Sequence, residues 1–461
     1  MKLQRLLFSL SILAFLSACS KDFLEKKPES TDTQVNSDEA IKTPQDMRDL
    51  LISVYDVAAN LYGGQSQNLT ELLGDNVGLP VSQTDYLPVY YRKSDIFNGT
   101  IGQRYKDAYL SIYRANVLIF KKDQVEGISD AEKNKIEAEA RFLRALNHHT
   151  ILRMFAQPPG YTADNSHPGI VMRMQYSQEA GVRSTVAECL SLILEDLQFA
   201  EENLPDENGV YATKWAAKAL KARIYLDQNK FAEAAQLAGE VINSGKFTLL
   251  DSLNRFTSGQ NSEQIFYTVS TFIQDQISDE RGGDFLKYRS DNNDNPSMRS
   301  SEDLYTLVSA DTLDKRKDAW FRVINKGGVA TYAVKKFDRS FMWIPIIHLT
   351  EMKLTRAEAL AALGTDNATA LNDLNDIRER AGLLPLDGIS GLELVNAIRA
   401  ERRIEMCFEG DRTAQIKRIG ALGYESKSRG AAWNCPGMVL QFPGAENSVI
   451  GFQLNPTGGC E

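Results

Sequence analysis

Two stretches of this chain carry small and aromatic residues at intervals that suit helices packed in antiparallel pairs. In KWAAKALKARIYLDQNKFAEAAQLAGEVINSGKF, residues 214–247, Ala222 and Tyr225 are followed by Phe231 and Ala234 at a turn, then by Ala238 and Val241. The stretch LTRAEALAALGTDNATALNDLNDIRERAGL, residues 354–383, repeats this with Ala357, Ala361, Ala370, Leu374 and Ile377. Small side chains at such positions let two helix backbones approach closely. The spacing approximates a tetratricopeptide pattern, and two unrelated helical hairpins would satisfy it as well. In either case the scaffold is mostly helical.

Other helices fit around these pairs. Thr43 followed by Pro44 offers an N-cap and a proline for the first turn of a helix whose periodic part runs from Met47 to Leu61. Further helices are expected from about Arg104 to Phe120 and from Ala131 to Phe155, the latter pairing with Val186 to Leu204. Between the first two lies Gly63 to Gly102, rich in Gly, Asn, Asp and Tyr, and a loop of that length is more often functional than idle. Residues 248–347 change character: Gln264 to Val269 and Val329 to Lys335 read as strands among Gly-, Asn-, Asp- and Arg-rich loops. The expected fold class is mainly α, with helical hairpins as scaffold, a few short strands and an irregular, loop-rich face.

The N-terminus indicates the compartment. Lys2 and Arg5 precede an apolar run from Leu6 to Leu16 that ends in Leu16-Ser17-Ala18-Cys19. The run is too short for a membrane span and has the layout of a secretory signal. Leu-Ser-Ala-Cys resembles the bacterial lipobox, in which the cysteine is lipid-modified and becomes the first residue after cleavage. The reading divides the chain into a signal peptide at 1–18, a polar tether at 19–42 and one domain at 43–461 that includes the insert. Losing the signal removes Lys2 and Arg5 and no acid, which takes the formal charge from −9 to −11. That balance argues against nucleic acid or an anionic lipid surface as the main partner. Of the remaining cysteines, Cys189 and Cys407 have apolar neighbours and are expected buried and free, whereas Cys435 and Cys460, in the Gly/Pro-rich tail of an exported chain, are the expected disulfide.

The residues offer little for catalysis. Glu401, Arg402, Arg403, Glu405, Glu409 and Arg412 can pair with one another at helical spacing, which needs no substrate. Glu137 and Glu139 face different directions on a helix and cannot act as a paired acid and base. His148, His149, His167 and His348 lack zinc-site spacing. From Asp291 to Glu302, Asp291, Asn293, Asn295 and Glu302 match calcium-loop positions, but Pro296 stands where that loop needs glycine. No catalytic residue, metal or cofactor is therefore assigned. Loop aromatics are the better lead, because sugar C–H faces pack on Tyr and Trp while the hydroxyls bond to Asp, Asn and Arg, and peptides can use much the same surface. The candidates are Tyr86, Tyr90, Tyr91 and Arg92 with Asp75, Asn76 and Asn98 in the first long loop, and Tyr288, Arg289, Trp320 and Trp343 in the insert.

Several segments then match one family in order: Cys19-Ser-Lys-Asp-Phe-Leu-Glu with Pro28, EAEARFLRALNHHTILRMFAQPP (137–159), residues 216–247, LTRAEALAALG (354–364), IRERAGL (377–383), IRAERRIEMCFEGDRTAQIKRIG (398–420) and Asn455-Pro456. The chain resembles the SusD/RagB family of outer-membrane nutrient-binding lipoproteins, departing from it in the tail Thr457-Gly-Gly-Cys-Glu. The resemblance implies a tetratricopeptide-like scaffold, a lipid anchor at Cys19 on the outer membrane facing the cell surface, and a SusC-like TonB-dependent barrel as partner. It also implies an oligosaccharide ligand bound without turnover, with a peptide as the alternative and a surface hydrolase as the less favoured third reading. The family places its ligand face in these same loop regions, although the loops themselves do not align residue by residue.

Overall fold

The structure is a computed structural model that describes residues 41–81, 84–177, 179–270, 283–290, 295–339 and 342–460. Cys19, the signal and nearly all of the tether lie outside these residues, as do Asp291 and Asn293 of the calcium-like pattern.

The N-terminal half is a run of helices. Helix α1 (Pro44–Leu61) is set by a capping box: the Thr43 side chain accepts from the Asp46 N–H, and Asp46 accepts from the Thr43 N–H. Helices α2 (Gln65–Leu73) and α3 (Tyr86–Tyr90) follow, then α4 (Gly99–Lys121), whose N-cap Asn98 accepts from the Ile101 N–H at 3.0 Å. The expected long loop is thus interrupted by two helices. The buried face of α2 mixes Leu69, Leu72 and Leu73 with Gln67, Asn68 and Glu71, which hides its periodicity in the sequence. Helix α5 (Asp130–Phe155) packs against α1, α4 and α6 (Val186–Asn203) and is buried around most of its circumference, His148 and His149 included.

The hairpin over residues 214–247 forms as α7 (Lys214–Asp227) and α8 (Phe231–Asn243). Strand β1 (Gln264–Thr268) comes next, then α9 (Glu302–Ser309) and α10 (Arg316–Trp320), short helices inside the insert. Strands β2 (Phe321–Lys326) and β3 (Val329–Val334) pair antiparallel in register Phe321 to Val334, while β4 (Ile344–His348) pairs antiparallel with the distant β1. The remaining helices are α11 (Leu349–Leu363), α12 (Asn367–Arg380), α13 (Gly391–Glu405) and α14 (Arg412–Ala421). Ala234 and Ala235 of α8 meet Ala359 of α11, and Ala357, Ala361, Ala370, Leu374 and Ile377 form a core with Leu394 and Ile398 of α13. The fold is mainly helical with short, separate two-stranded ladders among the described residues.

Charges of the Glu401–Arg412 segment are structural, but their chief partners are distant rather than one helical turn away. Glu405 receives Arg255 at 2.6 Å, Arg316 at 2.9 Å and Arg380 at 2.8 Å, and Arg316 also bonds Glu401. Arg402 bonds Asp411 at 2.8 Å, and Glu409 takes Arg255 at 2.5 Å, Lys336 at 2.6 Å and His348 at 3.1 Å. Burial alone would raise the Glu405 carboxyl, but Arg380, Arg316 and Arg255 outweigh it and hold it at about 2. This network ties α13 to the insert. Cys435 and Cys460 are joined in a disulfide, and Cys189 and Cys407 are buried and free.

Candidate functional site

Helix α3 is short because Arg92, just past its end, takes a left-handed backbone with φ of 57°. That turn aims the guanidinium inward, where Nη2 donates to the Ser428 carbonyl and hydroxyl, each at 2.6 Å. Gly437 packs on the Arg92 carbonyl so closely that a Cβ would lie 2.3 Å from it, so the approach requires glycine. Arg429 is the second anchor. Its guanidinium sits 4.1 Å from the Tyr90 ring centre and donates to the carbonyls of Leu72, at 2.9 Å, and of Tyr90, at 2.6 Å. Burial, with Arg429 alongside, lowers Arg92 to about 10, so it stays protonated at neutral pH.

These contacts hold an open groove of about 910 Å³ lined by Leu87, Pro88, Tyr90, Tyr91, Arg92, Lys93, Asp95 and Arg429, with the disulfide-bonded Cys460 at its margin. Tyr91 is 56% exposed and meets Tyr90 edge-on at 5.5 Å, so its ring is held but not covered. An aromatic wall with a few charged groups at its rim can stack a ring and bond its hydroxyls.

Of the residues expected here, Tyr90, Tyr91 and Arg92 come together in this groove. Others belong to the interior, which corrects their expected place on a binding surface. Trp320 is 1% exposed beneath Lys336, whose ammonium lies 4.5 Å from the ring centre. Tyr288 is fully buried against Phe337 and Phe408, and Tyr86 is buried with Lys287 over its ring. Asn76 accepts from Arg403 Nε at 3.0 Å, Asp75 is clasped by Arg412 at 2.6 Å, and Asn98 serves as the cap of α4. The oxygens of these polar groups are already engaged, and the aromatic rings complete the core, so they shape the surface from below. Arg289 is half-buried in a bridge to Val334. Trp343 is half-buried and stacks on Tyr267 at 5.4 Å, and it does not line the groove of Tyr90 and Tyr91.

Sequence reasoning missed Lys93 and Asp95, which lie beside the expected aromatics, and it missed Arg429. Arg429 is the distant contributor. It lies far from Tyr90 in the chain and sits in an unremarkable Ser-Arg-Gly turn, so no local pattern marks it. Among the described residues, no group of three His, Cys, Asp or Glu is placed to hold a metal ion, and no helix is long and apolar enough to cross a membrane.

Comparison with known proteins places the chain in a family. A family model described as starch-binding, associating with the outer membrane, matches residues 22–226, and the SusD family model matches residues 248–455. SusD-like protein P25 of Formosa agariphila is 24% identical over 264 residues, an alignment covering 54% of this chain and 48% of that protein. A SusD superfamily protein from Bacteroides thetaiotaomicron superposes with a TM-score of 0.78 at 24% identity, over 90% of this chain and all of that one. A laminarin-binding SusD-like protein superposes with a TM-score of 0.72 at 21% identity, over 90% of this chain and 100% of the other. With one model matching its N-terminal half and a second matching its C-terminal half, the chain belongs to the SusD/RagB family.

Proposed function

We propose that this chain is a lipid-anchored lipoprotein of the outer membrane, facing the cell surface, which binds oligosaccharide in the groove of Tyr90, Tyr91 and Arg429. It releases that ligand unaltered to a SusC-like TonB-dependent barrel. The carrying observation is the Tyr91 ring, exposed at the mouth of the groove while Tyr90 and Arg429 fix its base. A ring so held loses little freedom when a sugar face packs on it. Family membership supports a glycan as the ligand class and the outer membrane as the setting.

Calorimetry with laminarin and with maltooligosaccharides tests the groove. Tyr91→Ala is expected to weaken binding several-fold with no change in melting temperature, since the ring is largely exposed; aromatic stacking on nucleobases, at about 1–3 kcal/mol per contact, is a loose guide. An unchanged Kd in Tyr91→Ala, or binding of peptides and of no glycan, overturns the reading. Co-purification with the barrel from detergent-solubilised membranes tests the partner, and recovery of the lipoprotein alone counts against it.

A further inference from the structure

A second groove, of about 340 Å³, lies between the α6–α7 connection, the start of α7, the end of α8 and strand β1. It shares no lining residue with the groove at Tyr91. Its walls include Tyr211, Trp215, Gln264 and Tyr267. Three hydrogen-bond donors of these lining residues, Trp215 Nε1, Gln264 Nε2 and Tyr267 Oη, have no partner among the described residues, although Gln264 is 3% and Tyr267 7% exposed. The Gln264 amide is oriented by its other end, because Oε1 accepts from the Asn261 N–H at 3.1 Å. Buried donors are ordinarily paired, and three orphans around one groove call for a ligand rich in acceptors.

The rim sets the ligand's charge. Lys246 pairs with Glu207 at 2.6 Å, and Lys214 pairs with Asp206, so neither sign is in surplus. The same carboxylates, still substantially exposed, can accept from hydroxyl groups. Tyr211, 38% exposed and tilted against Tyr55 at 5.0 Å, offers a ring face. A molecule that is neutral, offers both donors and acceptors, and carries an apolar C–H face is a polyhydroxylated ring. We infer that this groove is a second saccharide-binding site, formed by the juxtaposition of Tyr211, Trp215, Gln264 and Tyr267, through which one polysaccharide chain is held at two places.

This inference rests on the reading of the chain as a glycan binder, and its test separates the two. The full mature protein is run in native gels containing laminarin, amylopectin or xylan, as wild type, Tyr91→Ala, Tyr211→Ala and Trp215→Phe. Trp215→Phe keeps a ring and removes one orphan donor, so its melting temperature is expected to be unchanged or higher, and reduced binding then reflects the groove. The expected result is a Kd about three- to ten-fold weaker for Trp215→Phe and for Tyr211→Ala, with a further loss when either is combined with Tyr91→Ala. Wild-type retardation in both Trp215→Phe and Tyr211→Ala overturns the second site and leaves the first standing. Loss in those two with none in Tyr91→Ala supports the second site and overturns the first. Absence of wild-type binding to all three polysaccharides, or displacement by peptides alone, overturns both.

Discussion

At the scale of single residues, the acid of most consequence is Glu405, surrounded by guanidinium groups from a loop, a short helix and a long one. Glu405→Gln leaves those arginines buried with one anion fewer, and it is expected to cost about 3–5 kcal/mol in urea unfolding. Its folded-state value of about 2 lies below the usual 4.5, so the unfolded chain binds more protons between those limits. The stability that Glu405 contributes is complete above pH 4.5 and is lost as pH falls through about 2. Glu71 behaves in the opposite sense. Burial raises its carboxyl to about 7, only partly offset by the Gly410 N–H that it accepts at 2.9 Å. The folded chain keeps this proton longer than the unfolded one, so stability falls as pH rises from 4.5 through about 7. Glu71→Gln is expected to remove that part of the slope, so its melting temperature should exceed that of the wild type at pH 8 by more than at pH 5.

At the scale of elements, the spacing of small residues is what makes the hairpins legible, because it depends only on neighbours one helical turn apart. Ala357 is fully buried in the core that α11 shares with α12 and α13. Ala357→Leu is expected to cost about 1–3 kcal/mol by overpacking, measured by thermal or denaturant unfolding. Helix α2 shows where such reading stops. Its buried Gln67 donates to the Tyr62 carbonyl at 3.1 Å, and its buried Asn68 donates to the Asp284 carbonyl at 3.0 Å, so the inward face is polar in sequence and its amide nitrogens find their acceptors only in the folded chain. The strands at Gln264 and Val329 could be read from their β-branched and aromatic content, but β1 pairs with Ile344–His348, far along the chain. No local rule names such a partner.

At the scale of the whole molecule, the proposed membrane anchor and the proposed binding face belong to different parts of the chain. Cys19→Ala is expected to move the protein from the membrane fraction to the soluble fraction, while the wild-type N-terminal peptide carries acyl mass in a mass spectrum. An unmodified wild-type Cys19 would overturn the anchor. The sequence alone determined the helical class, the family, the cysteines set aside as buried and the absence of familiar catalytic motifs, since each rests on residue type and near-neighbour spacing. Only the tertiary structure decided which aromatics face solvent: Tyr91 stands out at 56% exposure, while Trp320, of similar promise in sequence, is sealed at 1% beneath Lys336. Exposure and charge pairing depend on what distant segments bring alongside, as Arg429 is brought to Tyr90 and Arg316 to Glu405, and that proximity exists only after the chain has folded.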